Sequence, residues 1–226
     1  IALAGTRQDL YLDVYEPKGD NGDRRPTIVM AHGGAFINGT KTQIRALCES
    51  YAKKGYVVAS VNYRLVSLIN IASFLTNQDE QYDAVLKATF DLKAAVRFFR
   101  KDFANGDTYG IDPNKIVMGG HGTGAYISLG VATLDTATQM YIPKFMNLAT
   151  TPPSPYVYAP FFGNVNGTDS AWLPDFASPT GQTELWNIPN NPSYSSEINM
   201  AFNLGGALAD ISWLQVGDVP IVSFHC

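Results

Sequence analysis

The stretch from Lys115 to Tyr126, Lys-Ile-Val-Met-Gly-Gly-His-Gly-Thr-Gly-Ala-Tyr, decides the fold, because an apolar run breaks into glycines and then resumes as a helical pattern. Ile116 to Met118 predicts a short buried strand, and the residues from Thr123 to about Thr133 predict a helix. Glycine is favoured where a backbone turns sharply between two such elements. The stretch is therefore typical of a strand, a sharp turn and a helix.

The composition predicts one globular domain over residues 1–226. The chain has 226 residues, of which 46% are hydrophobic and 16% charged, values that are ordinary for a domain with a single core. No run approaches the roughly 18 consecutive apolar residues that a membrane helix needs. Lys144 is the last basic residue, and the only charged residues after it are Asp and Glu. This excludes a nucleic-acid surface in that part of the chain.

Apolar runs separated by helical patterns predict an α/β fold with a mainly parallel, doubly wound sheet and helices on both faces. Gln8 to Glu16 alternates apolar and polar side chains, which predicts a half-exposed strand. Continuous apolar runs predict buried strands at Thr27–Ala31, Tyr56–Val61, Ile116–Met118 and Pro220–Phe224. Helical spacing predicts helices at about Thr42–Lys54, Asp79–Asp102 and Thr123–Thr133, and a short one near Ser195–Asn203.

The segment from Thr151 to Pro192 has a different character. It holds eight of the chain's 13 prolines together with several Tyr, Phe and Trp residues. Such a composition excludes a regular helix or a central strand. We expect a cap-like excursion over the ends of the sheet at about residues 151–213. Its aromatic side chains either pack the excursion onto the domain or line an apolar pocket.

Cysteine usage, possible glycosylation sites and composition give information on the cellular compartment of the protein. Cys48 and Cys226 fall in elements that we place on separate parts of the sheet, so we do not expect a disulfide between them. Asn-Gly-Thr occurs at 38–40 and at 166–168, a glycosylation pattern that matters only in a eukaryotic secretory pathway. A low lysine content, many Asn, Thr and Tyr residues and a proline-rich second half favour a protein that is secreted or periplasmic. A first residue other than Met indicates an N-terminus that is processed, trimmed or incompletely observed.

Four motifs, taken in their order along the chain, resemble the carboxylesterase branch of the α/β-hydrolases, especially its secreted bacterial, lipase-like members. They are His-Gly-Gly-Ala-Phe at 32–36, Asn-Tyr-Arg-Leu at 62–65, Asp-Leu-Lys-Ala-Ala-Val-Arg-Phe at 91–98 and Asp-Pro-Asn-Lys-Ile-Val at 112–117. Phe-Asn-Leu-Gly-Gly-Ala at 202–207 adds to the likeness. The resemblance implies an α/β-hydrolase fold and hydrolysis of carboxylic esters through a Ser-acid-His mechanism.

The resemblance also assigns roles to two glycine-rich turns. Gly-His-Gly-Thr-Gly at 120–124 corresponds to the nucleophile elbow, G-x-S-x-G, so that Gly122 occupies the position of the nucleophilic serine. The backbone N–H groups of Gly33, Gly34 and Thr123 would form the oxyanion hole, which stabilises the negative charge of a tetrahedral intermediate.

None of the three histidines corresponds to the catalytic histidine of the family. The resemblance makes His32 a structural residue of the first glycine loop and His121 a packing residue before the nucleophile position. His225 would follow the penultimate strand. The catalytic acid and histidine, a further strand and a closing helix would lie beyond Cys226, so the resemblance predicts a domain that is incomplete at this end.

The glycine at position 122 leaves two hypotheses open. The first is an esterase by descent that acts on small apolar or aryl esters but is inactive as written, because its nucleophile is substituted. Thr123 carries the only hydroxyl nearby, and at the start of a helix it points away from the elbow tip. The second is a secreted pseudoenzyme with a binding, assembly or structural role. A nucleotide-binding sheet is disfavoured because G-x-G-x-x-G is absent, and we expect no cofactor or metal.

Overall fold

The computed structural model describes residues 8–19, 22–156, 164–168, 171–173 and 181–225. The strands in these parts of the chain are β1 (Leu12–Tyr15), β2 (Arg25–Ala31), β3 (Val57–Val61), β4 (Ile111–His121), β5 (Met146–Asn147), β6 (Ser154–Pro155), β7 (Ala171–Leu173), β8 (Glu184–Asn187), β9 (Met200–Leu204) and β10 (Ile221–Phe224). The α-helices are α1 (Arg45–Ala52), α2 (Ile71–Thr76), α3 (Gln78–Ala104) and α4 (Thr123–Thr133). Short 3₁₀ helices occur at Lys41–Ile44, Leu68–Asn70, Ala137–Met140, Pro143–Phe145 and Ile211–Trp213. No helix in the described ranges has the length and apolar character to cross a bilayer.

Six of these strands form the main sheet, in the order β1-β3-β2-β4-β9-β10. Every neighbouring pair is parallel except β1 with β3. At the centre of the sheet, Val29 of β2 is in register with Ala59 of β3 and with Met118 of β4. The prediction of a mainly parallel sheet that contains all four apolar runs is confirmed.

Helices cover both faces of this sheet. Val29 of β2 belongs to a core cluster that includes Leu92 of α3 and Ile127 of α4. The preceding residue, Ile28, belongs to a separate cluster with Cys48 of α1. Because successive side chains of a strand point to opposite faces, α1 packs on one face while α3 and α4 pack on the other. The predicted doubly wound arrangement is confirmed.

The short helix predicted near Ser195–Asn203 is wrong, because Met200 to Leu204 forms strand β9 between β4 and β10. Ala201 and Phe202 in this strand are buried. The Phe202 ring fills the space beside Gly119, only 2.2 Å from where a Cβ on that glycine would lie. Pairing with a strand on each side therefore decides the conformation of this segment, and local preference does not.

Strand β10 forms where it was predicted, but the prediction that it is buried is wrong. Val222 is 38% exposed and Phe224 is 60% exposed. Within the described chain, β9 is the one sheet neighbour of β10, so the side chains of this edge strand face solvent.

The described parts of the excursion are tied to α3 by arginine side chains. Arg97 donates from Nε to the carbonyl oxygen of Asn190 at 2.9 Å and from Nη1 to that of Asn166 at 3.3 Å. Arg100 donates from Nη1 to the carbonyl oxygen of Ser195 at 2.7 Å. Most of the aromatic residues on which the packing and pocket alternatives depend fall in 157–163 and 174–180, outside the described residues. Both alternatives therefore stay predictions.

Of the two cysteines between which we expect no disulfide, the structure describes Cys48. Cys48 is a buried free thiol on α1, and burial raises its pKa to about 11. Cys226 lies outside the described residues, so the expected lack of a disulfide stays a prediction.

Candidate active site

The sharp turn between β4 and α4 is built by glycines that no other residue can replace without moving the backbone. A Cβ on Gly120 would lie 1.9 Å from the carbonyl oxygen of Gly124, and a Cβ on Gly124 would lie 2.1 Å from that of Ala31. Real Cβ atoms essentially never approach another atom within 3.0 Å. Gly124 thus lets the first turn of α4 lie directly against the carboxyl end of β2, and Gly120 lets that turn fold back closely on β4.

Gly122, at the tip of the turn, is in a different situation. Its φ is +58° and its ψ is −122°, a conformation that strains any residue with a side chain. A Cβ there would nevertheless meet only one atom within 4 Å, the Cα of Gly33 at 3.5 Å. The tip is therefore sterically open, and it lies against the glycine loop that follows β2.

That glycine loop is a tight turn closed on Gly34. The N–H groups of Ile37 and Asn38 both donate to the carbonyl oxygen of Gly34, at 3.1 and 3.0 Å. The φ of Gly34 is +127°, and a Cβ there would lie 1.9 Å from the carbonyl oxygen of Asn38. Ala35 and Phe36 also have positive φ values, 54° and 59°. The loop thus depends on glycine at position 34 for its shape.

Three backbone N–H groups at this junction have no acceptor among the described residues, namely those of Gly33, Gly34 and Thr123. The first two belong to the glycine loop, and the third belongs to the first turn of α4, where a helix supplies no acceptor of its own. All three residues are half-buried. The structure therefore brings together the loop and the elbow from which the sequence predicted oxyanion donors.

The three histidines differ in their surroundings. His32 is buried, and its Nδ1 donates to the carbonyl oxygen of Gly33 at 2.7 Å. Burial lowers the pKa of His32, which favours the neutral ring. His121 is exposed at the end of β4, and its Nδ1 would lie 3.5 Å from a Cβ on Gly33. His225 follows β10, which is two strands from β4 and hence about 10 Å to the side of the elbow.

Tyr63 is a site residue to which the sequence assigned no role. Its ring stacks on His32 with centroids 4.5 Å apart, and it is almost fully buried. Its hydroxyl donates to the carbonyl oxygen of His32 at 2.9 Å and lies 3.5 Å from Oγ1 of Thr123. The Thr123 hydroxyl is thus engaged with Tyr63. The only sequence signal was the Asn-Tyr-Arg-Leu motif, which shows no contact partner.

Two concave regions lie on opposite edges of the sheet. A cavity of about 380 Å³ borders the glycine loop and is lined in part by His32, Ile37 and Leu65. A cleft of about 700 Å³ lies near the amino ends of β9 and β10, where Glu197 and Asp218 line it. The elbow is at the carboxyl end of β4, and neither Gly33, Gly34, Gly122 nor Thr123 lines either region. The described residues contain no cluster of three or more His, Cys, Asp or Glu suited to a metal ion.

Comparison with known proteins assigns this arrangement to a family. The family model named BD-FAE matches residues 12–151, which is more than half of the chain. The chain belongs to the BD-FAE family. The match includes both the glycine loop and the elbow.

Several curated relatives of this BD-FAE chain are named as hydrolases or esterases. It is similar to phenmedipham hydrolase of Pseudarthrobacter oxydans, with 29% identity over 133 residues that cover 58% of this chain and 24% of the relative. It is also similar to fumonisin B1 esterase of Sphingopyxis macrogoltabida, with 28% identity over 124 residues that cover 54% of this chain and 22% of the relative. The match spans about a quarter of the length of these relatives.

Solved structures confirm the fold of this BD-FAE chain. The apo form of Thermogutta terrifontis esterase 2 aligns with a TM-score of 0.56 at 22% identity, covering 96% of this chain and 67% of that one. The butyrate-bound form aligns with a TM-score of 0.51 at 22% identity, covering 86% and 48%. The chain thus has the α/β-hydrolase fold that the motifs predicted.

Proposed function

We propose that this chain binds carboxylic esters, or the acids released from them, without forming an acyl-enzyme. The ester carbonyl oxygen or the carboxylate would accept hydrogen bonds from the N–H groups of Gly33, Gly34 and Thr123. The observation that carries this proposal is that all three donors lack an acceptor among the described residues.

Donors of this kind act on the charge that develops on a carbonyl oxygen. In an esterase they stabilise the tetrahedral oxyanion, and losing one such donor reduces the rate by about 10²–10³-fold in well-studied cases. They need no nucleophile to bind a carboxylate. Because Gly122 has no hydroxyl, the covalent step has no attacking atom at this position. The donors and ligand binding together would then supply about 10³–10⁴-fold over water.

The substrate class that we propose is small apolar or aryl esters. Phenmedipham hydrolase and fumonisin B1 esterase act on the compounds in their names. The esterase from Thermogutta terrifontis has been solved with butyrate and with propionate bound. The cavity beside the glycine loop has apolar lining from Ile37, Leu65 and Val66, which suits a short acyl or aryl group.

Two evolutionary histories lead to this binding function. In the first, the chain is an esterase whose nucleophile has been replaced. In the second, it is a pseudoenzyme kept for binding or assembly, in which Gly122 is the native choice. Position 122 is sterically compatible with both histories, because a Cβ there meets only Gly33 Cα, at 3.5 Å.

The test is a titration of the ¹⁵N-labelled chain with sodium butyrate, followed by NMR. The amide signals of Gly33, Gly34 and Thr123 should shift together and saturate, and sodium chloride at equal concentration should not shift them. Gly34→Ala should abolish the effect, because its Cβ would collide with the Asn38 carbonyl. Gly55→Ala is the matched control, since its φ is also positive at +98° but nothing lies within 4 Å of its Cβ.

A second assay tests the covalent step with p-nitrophenyl butyrate. The wild-type chain should show no burst of p-nitrophenol and no acyl adduct in its intact mass. Gly122→Ser should raise the rate by about 10³-fold or more in a chain that also carries the acid and histidine expected beyond Cys226. Absence of butyrate-dependent shifts overturns the binding proposal, and a wild-type acyl adduct overturns the proposal that covalent catalysis is lost.

A further inference from the structure

The direction of each unpaired N–H in the glycine loop is fixed by the carbonyl of its own peptide unit. A peptide is planar, and in the trans form its N–H points away from its C=O. The His32–Gly33 and Gly33–Gly34 peptides are both trans. Any side chain that holds the carbonyl oxygen of His32 therefore also aims the N–H of Gly33.

Tyr63 makes that contact. Its hydroxyl donates to the carbonyl oxygen of His32 at 2.9 Å, and its ring is held by stacking on His32 at 4.5 Å. Both residues are at most 2% exposed, so water does not replace this hydrogen bond easily. In the next peptide, His32 Nδ1 plays the same part by donating to the carbonyl oxygen of Gly33. Each donor peptide of the loop thus has its carbonyl tied by a buried side chain.

The Tyr63 hydroxyl also links the loop to the elbow. It has one proton, and that proton is used on the His32 carbonyl. The contact of 3.5 Å with Thr123 Oγ1 must then be one in which Thr123 donates and Tyr63 accepts. The third donor peptide is tied as well, because the carbonyl oxygen of Gly122 accepts from the N–H of Ala125 at 2.9 Å.

We propose that Tyr63 is a positioning residue that aims the Gly33 N–H at the ligand oxygen and holds the glycine loop against the elbow through Thr123. This proposal rests on the proposed function only for the identity of the ligand. Tyr63 acts on the Gly33 amide through the carbonyl oxygen of His32.

The experiment compares wild type, Tyr63→Phe and Tyr51→Phe. Phenylalanine at 63 keeps the ring that stacks on His32 and removes only the hydroxyl. Tyr51 is the matched control, because its half-buried ring packs on Phe202 away from the loop. Residual dipolar couplings of the ligand-free proteins report the direction of each N–H bond, and a butyrate titration reports affinity.

In Tyr63→Phe the coupling of the Gly33 N–H should change beyond the scatter of the other amides, while that of Thr123 is retained through its bond on the Gly122 carbonyl. Butyrate affinity should fall by about fivefold, as expected for one hydrogen bond. Tyr51→Phe should match the wild type in both measurements. A merely structural role for Tyr63 would lower the melting temperature without changing the direction of one particular N–H.

An unchanged Gly33 coupling in folded Tyr63→Phe overturns the positioning role, whatever the affinity. If the coupling changes but wild type shows no butyrate binding, the positioning role stands and the proposed function fails. Equal butyrate affinity in wild type and Tyr63→Phe, with binding present, shows that the direction of the Gly33 N–H does not matter for the ligand and overturns the inference.

Discussion

Substituting the glycines of the elbow one at a time separates backbone strain from lack of space. Gly122→Ala introduces strain only, because φ is +58° and the nearest atom to the new Cβ is 3.5 Å away. Gly124→Ala introduces overlap only, because its φ is ordinary for a helix and the new Cβ would be 2.1 Å from the Ala31 carbonyl oxygen. Gly55→Ala, with φ of +98° and open space around it, measures strain outside the site.

The expected losses of unfolding free energy differ in size. Positive-φ strain of the kind at Gly122 amounts to about 1–3 kcal/mol. At Gly124, ordinary contact begins near 3.4 Å, so the start of α4 and the end of β2 must separate by roughly 1 Å. Inserting one methyl group into a packed core costs about 1–3 kcal/mol when side chains are able to adjust. Two backbone segments adjust less, and we therefore expect Gly124→Ala to lose more than 3 kcal/mol.

Urea denaturation followed by circular dichroism gives the free energies of unfolding by linear extrapolation. The expected order of stability is wild type first, then Gly55→Ala and Gly122→Ala at similar values, and Gly124→Ala last. If Gly124→Ala proves as stable as Gly122→Ala, the close approach of α4 to β2 at the elbow is wrong.

Two further predictions concern α3. Burial raises the pKa of Asp83 to about 7, above the value of the unfolded chain. The stability that this group contributes is therefore lost as pH rises through 7. In melting curves, Asp83→Asn should gain stability relative to wild type between pH 5 and pH 8, and a constant difference would contradict this. Arg97→Met leaves the carbonyl oxygens of Asn166 and Asn190 without their donor. Limited proteolysis within residues 164–195 should therefore be several-fold faster in this variant than in Arg45→Met, the control, which removes an exposed arginine on α1.

The sequence predicted those elements whose patterns are local. The continuous apolar runs of β2 and β3 favour strands buried on both faces. The glycines of the elbow favour a sharp turn between a strand and a helix. The run Met-Ala-Phe-Asn-Leu of β9 carries no such signature. It becomes a strand because β4 and β10 offer hydrogen bonds on both sides and because Phe202 finds the space left by Gly119.

The sequence predicted the backbone of the candidate site but not the side-chain contacts that orient its N–H groups. The motifs indicate which N–H groups converge, since the elbow and the glycine loop are contiguous stretches. The hydrogen bond that orients the Gly33 N–H connects residues 31 positions apart in the chain, and the contact that links the glycine loop to the elbow connects residues 60 positions apart. No periodicity or spacing rule indicates that the hydroxyl of Tyr63 reaches the His32 carbonyl, because only the packing of β2 beside β3 brings them together.

The same geometry explains how a hydrolase framework tolerates glycine at its nucleophile position. The elbow takes its shape from Gly120, which lets α4 approach β4 closely, and from Gly124, which lets α4 approach β2 closely. The donors take their directions from carbonyl contacts with Tyr63, His32 and Ala125. None of these contacts involves a side chain at position 122, so losing a hydroxyl there removes an attacking atom and leaves the donors where they are. Under the proposed function, binding of a carbonyl or carboxylate oxygen is therefore physically separable from covalent catalysis.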